Sequence, residues 1–453
     1  MSSPDGPLCP LEFRYGRARV RELFSRTARL RRALQVESAL ALTEADLGMI
    51  PAEAAQAISK AASGSSVSLA RVDELEQSLR HDVMAITRAL AEQAGPGGAW
   101  VHYGATSADI TDTALALELI EAAHVLREDL TDLAVALLDL AERHRATAEV
   151  GRTHGQHAVP LTFGYKMAGA AAEVVRHRQR LDEILPRLGV GKMAGAVGTG
   201  AGFGDHAEAV ESGVMERLGL AADEAPTQIV ARDRIAEFTN FLALVASSAE
   251  RLATEVRNLQ RTEIAEVAES FDESQQVGSS TMAQKRNPML SENVTSLARL
   301  VRAFALPPME NMVLWHERDL ANSANERIVL PHAVVLLDDI LSKLVDVFQH
   351  LQVDSARMAA TLRATGGGPM TENLMLALTA KGMARSDAHE LLRRLAAPDG
   401  SGTLVSRAHA DPAIRGRFTP EEIDRLLSPD SYVSAAAAKT DRVVARLRRE
   451  LGS

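Results

Sequence analysis

Four polar clusters hold the residue types in this chain that could do chemistry. The first is Gly278-Ser279-Ser280-Thr281-Met282-Ala283-Gln284-Lys285-Arg286-Asn287-Pro288, with two adjacent hydroxyls, two adjacent cations and an amide in one short loop. Such a set can remove a proton and hold an anion, although the same residue types also serve as ordinary solvated loop. The second is Arg152-Thr153-His154-Gly155-Gln156-His157. A hydroxyl and an amide beside an imidazole are the equipment for protonating a leaving group. His154 and His157 stand three apart, as metal ligands can, but Gly155 weakens a continuing helix and no carboxylate stands at the usual third-ligand spacing. No metal site is expected there, and either histidine alone also reads as a polar residue near a helix end. The remaining clusters are His102-Tyr103-Gly104-Ala105-Thr106-Ser107-Ala108-Asp109 and Trp315-His316-Glu317-Arg318-Asp319, running on to Ser323-Ala324-Asn325-Glu326-Arg327.

The elements that must position these clusters read as helices. Apolar residues alternate in threes and fours along Leu119, Ala123, Leu126, Leu130, Leu133, Leu137 and Leu140, and again along Ile235, Phe238, Leu242, Val245, Ala249, Leu252, Val256 and Leu259. Stripes of that length predict long helices in a bundle. Helical patterns also cover Arg17 to Leu47, Ala52 to Ala62, and a segment from Ala70 that is expected to carry Arg80-His81-Asp82. Ser291 is expected to cap a helix that Pro307-Pro308 ends, and another helix is expected to start near Pro331. Glycine recurs through Leu188 to Asp205, but Gly191-Lys192 is followed by Met193 rather than Ser or Thr and no strand pattern precedes it. That excludes a phosphate-binding P-loop and leaves a mobile or tightly folded connection. The fold is therefore expected to be all-α in three parts: an N-terminal helical domain over 1–100, a central long-helix bundle over 101–351 and a smaller C-terminal helical domain over 352–453.

Composition narrows the function. The chain has 453 residues, 46% hydrophobic and 24% charged, with a formal net charge of −10. An acidic balance argues against coating nucleic acid and leaves small-molecule work, with cations gathered locally for an anionic substrate. The single cysteine, Cys9, excludes an internal disulfide and fits a reducing compartment, so a cytoplasmic protein is expected. Residues 1–13 read as a disordered lead-in without the apolar core of a signal peptide, and apolar runs are too short to span a membrane.

With the clusters in view, Gly278-Ser279-Ser280 with Lys285 and Asn287-Pro288 resembles the signature loop of the fumarase/aspartase superfamily. His102 to Asp109 and Thr153 to His157 resemble its other two shared regions, in matching order and spacing, and the likeness runs from Arg14 onward. Arg14-Tyr15, Arg80-His81-Asp82, Gln228 ahead of Arg232-Asp233, Gln260 to Glu263, and Arg318 with Ser323 to Arg327 are similar to the adenylosuccinate lyase branch.

That resemblance implies a homotetramer whose sites draw on different subunits, acting without metal or redox cofactor on a small-molecule substrate that is a nucleotide. It implies Ser279 as the base and His154 as the acid. Arg14, Tyr15, His81, Lys285, Arg318, Ser323 and Arg327 match positions that bind the nucleotide, its phosphate or the succinyl carboxylates. Thr106, Ser107, Gln228, Ser280, Asn287 and Asn293 match positions lining the site, with Arg80, Asp82, Thr153 and Arg286 beside them. Serine is too weak a base in water and needs a dry, cationic pocket, to which Lys285-Arg286 would contribute. The implied reaction eliminates fumarate from adenylosuccinate, and from its succinylated aminoimidazole counterpart in purine synthesis.

Two stretches depart from the branch. Ala283-Gln284 stands where the loop usually has Pro followed by His or Tyr, and Gly366-Gly367-Gly368-Pro369 replaces a usual Gly-then-Ser pattern. Both bear on substrate choice and loop closure rather than on reaction type. A paralogous lyase releasing fumarate or a related dicarboxylate from another amine in a specialised pathway is the alternative reading. A retired lyase scaffold that only binds is disfavoured by the intact Ser279, Lys285, Asn287 and His154.

Overall fold

The computed structural model describes residues 9–271, 281, 282, 284–397 and 402–452. Ser279, Ser280 and Ala283, and the lead-in before Cys9, lie outside the described residues.

Helices dominate, as the spacing predicts. In chain order they are α1 (Ala18–Leu23), α2 (Arg26–Asp46), α3 (Ala52–Ser63), α4 (Leu69–Leu79), α5 (Asp82–Ala94), α6 (Ser107–Arg143), α7 (Phe163–Leu188), α8 (Ala207–Leu218), α9 (Asp233–Leu259), α10 (Met289–Ala303), α11 (Leu306–Glu310) and α12 (Ser323–Gln349). Shorter helices follow from α13 (Ser355–Ala364), and the last runs over Asp430–Leu451. Among the described residues the strands form three two-stranded sheets: β1 (Ala148–Thr153) with β2 (Gln156–Thr162) antiparallel, β3 (Val190–Gly191) with β4 (Ala221–Ala222) parallel, and β5 (Val267–Ala268) with β6 (Gln352–Val353) antiparallel.

All fifteen residues of the two long stripes are buried, from Leu119 to Leu140 on α6 and from Ile235 to Leu259 on α9. Each such leucine contributes roughly 1.5–3 kcal/mol by leaving water, which is why the stripes dictate helices of this length.

Contacts divide the chain into two compact units. One comprises residues 1–130, 177–249 and 295–342, the other 131–176, 250–294 and 343–453. In the first, Leu34, Ile58, Leu75 and Leu90 belong to a core under α2–α5, and Val36, Met193, Phe203 and Val214 to another between α2 and α8. In the second, Leu374, Leu391, Ile414 and Ile423 make the core of the C-terminal helices.

Several boundaries differ from expectation, each for a local reason. The stretch Arg17 to Leu47 is two helices, because Ser25 accepts the Ala28 N–H at 3.1 Å and starts α2 afresh. Arg80-His81-Asp82 is not inside a helix. Arg80 closes α4 in the left-handed region (φ 52°), and His81 opens α5 by accepting the Met84 N–H at 3.3 Å. Ser291 does not cap α10, since that helix starts at Met289. Its first N–H groups are satisfied instead by the Glu269 carboxylate, which accepts from Leu290 at 3.1 Å and Ser291 at 2.7 Å. Pro307-Pro308 opens α11 as well as following α10. Pro331 lies inside α12, whose start is set by Asn322, the carbonyl acceptor for the Glu326 N–H at 3.1 Å. A proline costs an interior helix about 3 kcal/mol. The residues that follow it in α12, among them Val334, Leu337, Ile340, Leu341 and Leu344, are buried, and their burial offsets that cost.

Candidate active site

In the second unit, His154 stands at the tip of a hairpin rather than at a helix end. Thr153 pairs with Gln156, leaving His154-Gly155 as a two-residue turn, and both have positive φ, 53° and 73°. Positive φ at both central residues is what a type I′ turn requires, and it suits the twist of the flanking strands. Glycine takes that backbone freely, whereas histidine is held there by the pairing on either side. Thr153, His154 and His157 are exposed at this tip.

The hairpin is fixed from below by ion pairs. Arg152 grips Glu266 through both terminal nitrogens, at 2.8 and 2.7 Å, and Glu266 is fully buried. Glu149, also fully buried, accepts Lys166 Nζ at 2.6 Å, and Lys166 reaches Glu255 at the same distance. Burial pushes the Glu149 carboxyl up, and Lys166 works against that shift. A cavity of about 1070 Å³ opens beside the hairpin, lined in part by Arg152, His157, Lys166, Arg261 and Arg357. The arginines and the lysine of that set are engaged: Arg152 and Lys166 as above, Arg261 by Glu263, and Arg357 by the carbonyls of Glu263 and Ile264. Charge alone therefore does not make this cavity an anion site.

The described part of the signature loop lies in the same unit. Lys285 and Arg286 are exposed, and the Lys285 N–H donates to the Met282 carbonyl at 3.1 Å. Arg286 lies over the Phe271 ring at 5.2 Å, and its carbonyl accepts Gln260 Nε2 at 3.4 Å. Gln260 Oε1 accepts the Glu269 N–H at 2.9 Å, so the end of α9, the loop exit and the start of α10 are tied by Gln260 and Glu269 together. The Asn287 carbonyl accepts the Met289 N–H at 2.9 Å, and Asn293 accepts Lys343 Nζ at 2.6 Å.

The first unit holds the other candidates. Thr106 and Ser107 stand at the N-terminus of α6, where the Thr106 N–H donates to Asp109 at 2.8 Å. Asp109 is fully buried, paired with the fully buried Lys192, and also accepts the N–H groups of Ala194 at 3.0 Å and Gly195 at 3.1 Å. The glycine-rich connection thus brings its backbone onto the end of α6, the tightly folded of the two forms that its sequence leaves open. His102, at φ 64°, meets Glu37 at 2.7 Å. Burial opposes its charged form, but the Glu37 contact wins and raises its pKa.

Gln228 and Arg318 are brought together, the Arg318 Nη1 donating to Gln228 Oε1 at 3.2 Å and the Gln228 N–H to the Glu317 carbonyl at 3.2 Å. Arg327 donates to Asp82 at 2.9 Å, so the α5 start that carries His81 meets the first turns of α12, which Ser323 begins. Arg80 is exposed beside them in sequence. Arg14 lies 6.0 Å from the Tyr15 ring and is exposed. The candidates thus fall into both units, with Arg14, Tyr15, Arg80 to Asp82, Thr106, Ser107, Gln228, Arg318, Ser323 and Arg327 in the first and Thr153, His154, Lys285 to Asn287 and Asn293 in the second.

Glu266, Glu269 and Asp112, which hold these segments, are not singled out by the sequence. Their roles depend on partners distant along the chain, and a lone carboxylate carries no local signal of them. The hairpin does have one: an X-Gly pair between short runs of alternating residues at 148–162.

Comparison with known proteins places the chain. A family model described as lyase matches residues 12–303, and one described as adenylosuccinate lyase C-terminus matches residues 367–443. The chain is 44% identical over 438 residues to the adenylosuccinate lyase of Pyrococcus abyssi, covering 96% of this chain and 97% of the relative. It is 43% identical over 438 residues to that of Methanothermobacter thermautotrophicus, covering 96% and 98%. Among solved structures, a fumarate lyase from Mesorhizobium sp. BNC1 is similar with a TM-score of 0.88 at 31% identity, covering 97% of this chain and 100% of that one. A 3-carboxy-cis,cis-muconate lactonizing enzyme from Pseudomonas putida is similar with a TM-score of 0.88 at 32% identity, covering 99% and 100%. The chain belongs to the lyase family of the first model, and within it to the adenylosuccinate lyase family.

Proposed function

We propose that the protein is a carbon–nitrogen lyase that cleaves adenylosuccinate to AMP and fumarate, and acts likewise on the succinylated aminoimidazole carboxamide ribotide of purine synthesis. The observation that carries this reading is identity of 44% over 96% of the chain with an adenylosuccinate lyase, extending through both compact units. Ser279, as alkoxide, takes the proton from the carbon next to a carboxylate. The electron pair left behind forms an aci-carboxylate, held by Lys285, Asn287 and backbone N–H groups. That pair then forms the carbon–carbon double bond of fumarate as the C–N bond breaks, and the departing nitrogen takes a proton from His154. Arg14, Tyr15, His81, Arg318, Ser323 and Arg327 bind the nucleotide, its phosphate or the succinyl carboxylates. Arg80, Asp82, Thr106, Ser107, Thr153, Gln228, Ser280, Arg286 and Asn293 line the site.

The protein works as a homotetramer with shared sites, in the cytoplasm. Support for assembly comes from Val313, Trp315, Leu320 and Ile328, which are 80%, 76%, 69% and 56% exposed in the single chain. Apolar exposure of that extent within a sixteen-residue stretch marks an interaction surface. Among the described residues, no helix is long and apolar enough to cross a membrane.

A second reading keeps the reaction type and changes the substrate to a non-purine amine or another dicarboxylate. It is favoured by the likeness, at 32% identity, to a carboxymuconate lactonizing enzyme, and by Ala283-Gln284 in the signature loop. Fumarate release from adenylosuccinate, measured beside other N-succinyl amines, separates the two. Preference for a non-nucleotide amine would favour the second.

A further inference from the structure

Beneath the candidates of the first unit lies a buried ionic hub centred on Arg232. Its Nη1 donates to Asp112 Oδ2 at 2.7 Å and to the Val230 carbonyl at 2.9 Å, its Nη2 to Asp112 Oδ1 at 3.0 Å, and its Nε to Glu326 Oε1 at 2.9 Å. Asp112 also accepts the Val230 N–H at 2.9 Å. Asn311, which follows α11, reaches Glu326 Oε1 at 3.4 Å and exchanges amide hydrogen bonds with Asn325 at 2.6 and 2.7 Å. One guanidinium therefore joins α6, the segment ahead of α9 and the first turn of α12.

Those last two segments carry ligand candidates. Gln228 stands two residues before Val230 and holds Arg318, while Ser323 and Arg327 flank Glu326 on α12. Glu326 is buried and Arg327 exposed, so the hub lies under the turn whose outer side presents the cation. Burial pushes the Glu326 carboxyl up, and Arg232 opposes that shift.

A buried ion cluster is weak evidence of stability, because a packed apolar trio of similar volume often holds as well. What a guanidinium supplies instead is fixed geometry: a planar fork that engages one carboxylate with two bonds and a second with another. We propose that Arg232 is a positioning residue for substrate recognition, setting the places of Gln228, Arg318 and the Ser323–Arg327 turn relative to one another. It governs how tightly substrate binds more than how fast the C–N bond breaks. This rests on the adenylosuccinate reading above.

The test compares wild-type enzyme with Arg232→Lys and Glu326→Gln, measuring KM and kcat with adenylosuccinate, inhibition by AMP, and thermal unfolding. Lysine keeps the charge but cannot fork between two carboxylates, and a misplacement of about 1 Å can cost up to roughly 100-fold. Arg232→Lys is expected to raise KM and the AMP inhibition constant at least about tenfold with kcat within about threefold, and Glu326→Gln to do the same less strongly. A fall in kcat with KM and AMP inhibition unchanged would mark a merely structural role and overturn the proposal. If Arg232→Lys does not fold, Glu326→Gln decides, and an unchanged KM there overturns it. Wild-type enzyme that neither cleaves adenylosuccinate nor is inhibited by AMP would overturn the substrate reading itself, an outcome visible before any variant is made.

Discussion

Arg152 and Glu266 are joined by two hydrogen bonds, at 2.8 and 2.7 Å, two residues before the turn that presents His154. Since Glu266 is fully buried, the fork anchors a strand whose tip is otherwise exposed. Arg152→Lys keeps one point charge and loses the second bond. The expected result is a kcat lower by about 10- to 100-fold with a smaller change in KM, because His154, the proposed acid, is misplaced rather than removed. Steady-state kinetics with adenylosuccinate check it.

Replacing the proposed acid and base tests the chemistry directly. His154→Ala is expected to lower kcat by about 10²–10⁴-fold, the usual contribution of a positioned proton donor. Ser279→Ala is expected to lower it at least as far while leaving the thermal midpoint near that of wild type. Near-normal turnover by Ser279→Ala would remove the base assignment, and a His154→Ala enzyme that lost only binding would remove the acid.

Gly104 shows what the His102 to Asp109 loop demands of its backbone. It sits at φ 70°, and a Cβ there would meet the Phe203 ring at 2.6 Å. Phe203 is buried in the core between α2 and α8, so it has little room to yield. Gly104→Ala should therefore destabilise the fold by about 1–3 kcal/mol, read by denaturant unfolding.

Glu44 predicts a pH effect on stability. It is fully buried, its two carboxylate oxygens have no hydrogen-bond partner among the described residues, and burial, with Glu37 adding repulsion, pushes its pKa up to about 8. A carboxyl raised in the folded state gives stability that is fully present below its unfolded pKa, near 4.5, and lost as pH rises through about 8. The loss approaches about 1.4 kcal/mol per pH unit while the folded group stays protonated. Glu44→Gln should flatten the fall in stability between about pH 6 and pH 8. An unchanged slope in denaturant unfolding at these pH values would show that Glu44 is not the group responsible.

The long helices were legible because their apolar spacing runs over many turns and burial enforces it at every position, from Leu119 to Leu140 and from Ile235 to Leu259. The start of α12 was not, because Pro331 is a strong local stop that the buried face of the helix overrides. The clusters were legible as clusters. What holds them was not, because Arg152 finds Glu266 114 residues away and Arg232 finds Asp112 120 residues away. Such pairings belong to the folded chain and leave no trace in local sequence.

Release of fumarate from adenylosuccinate is the property on which every role assigned above depends. It is measured most directly as fumarate formation by the purified protein supplied with adenylosuccinate, beside a series of non-nucleotide N-succinyl amines. Fumarate and AMP are expected in equal amounts from adenylosuccinate, faster than fumarate from any non-nucleotide amine. No release from adenylosuccinate, with turnover of another amine or of none, would contradict the assignment.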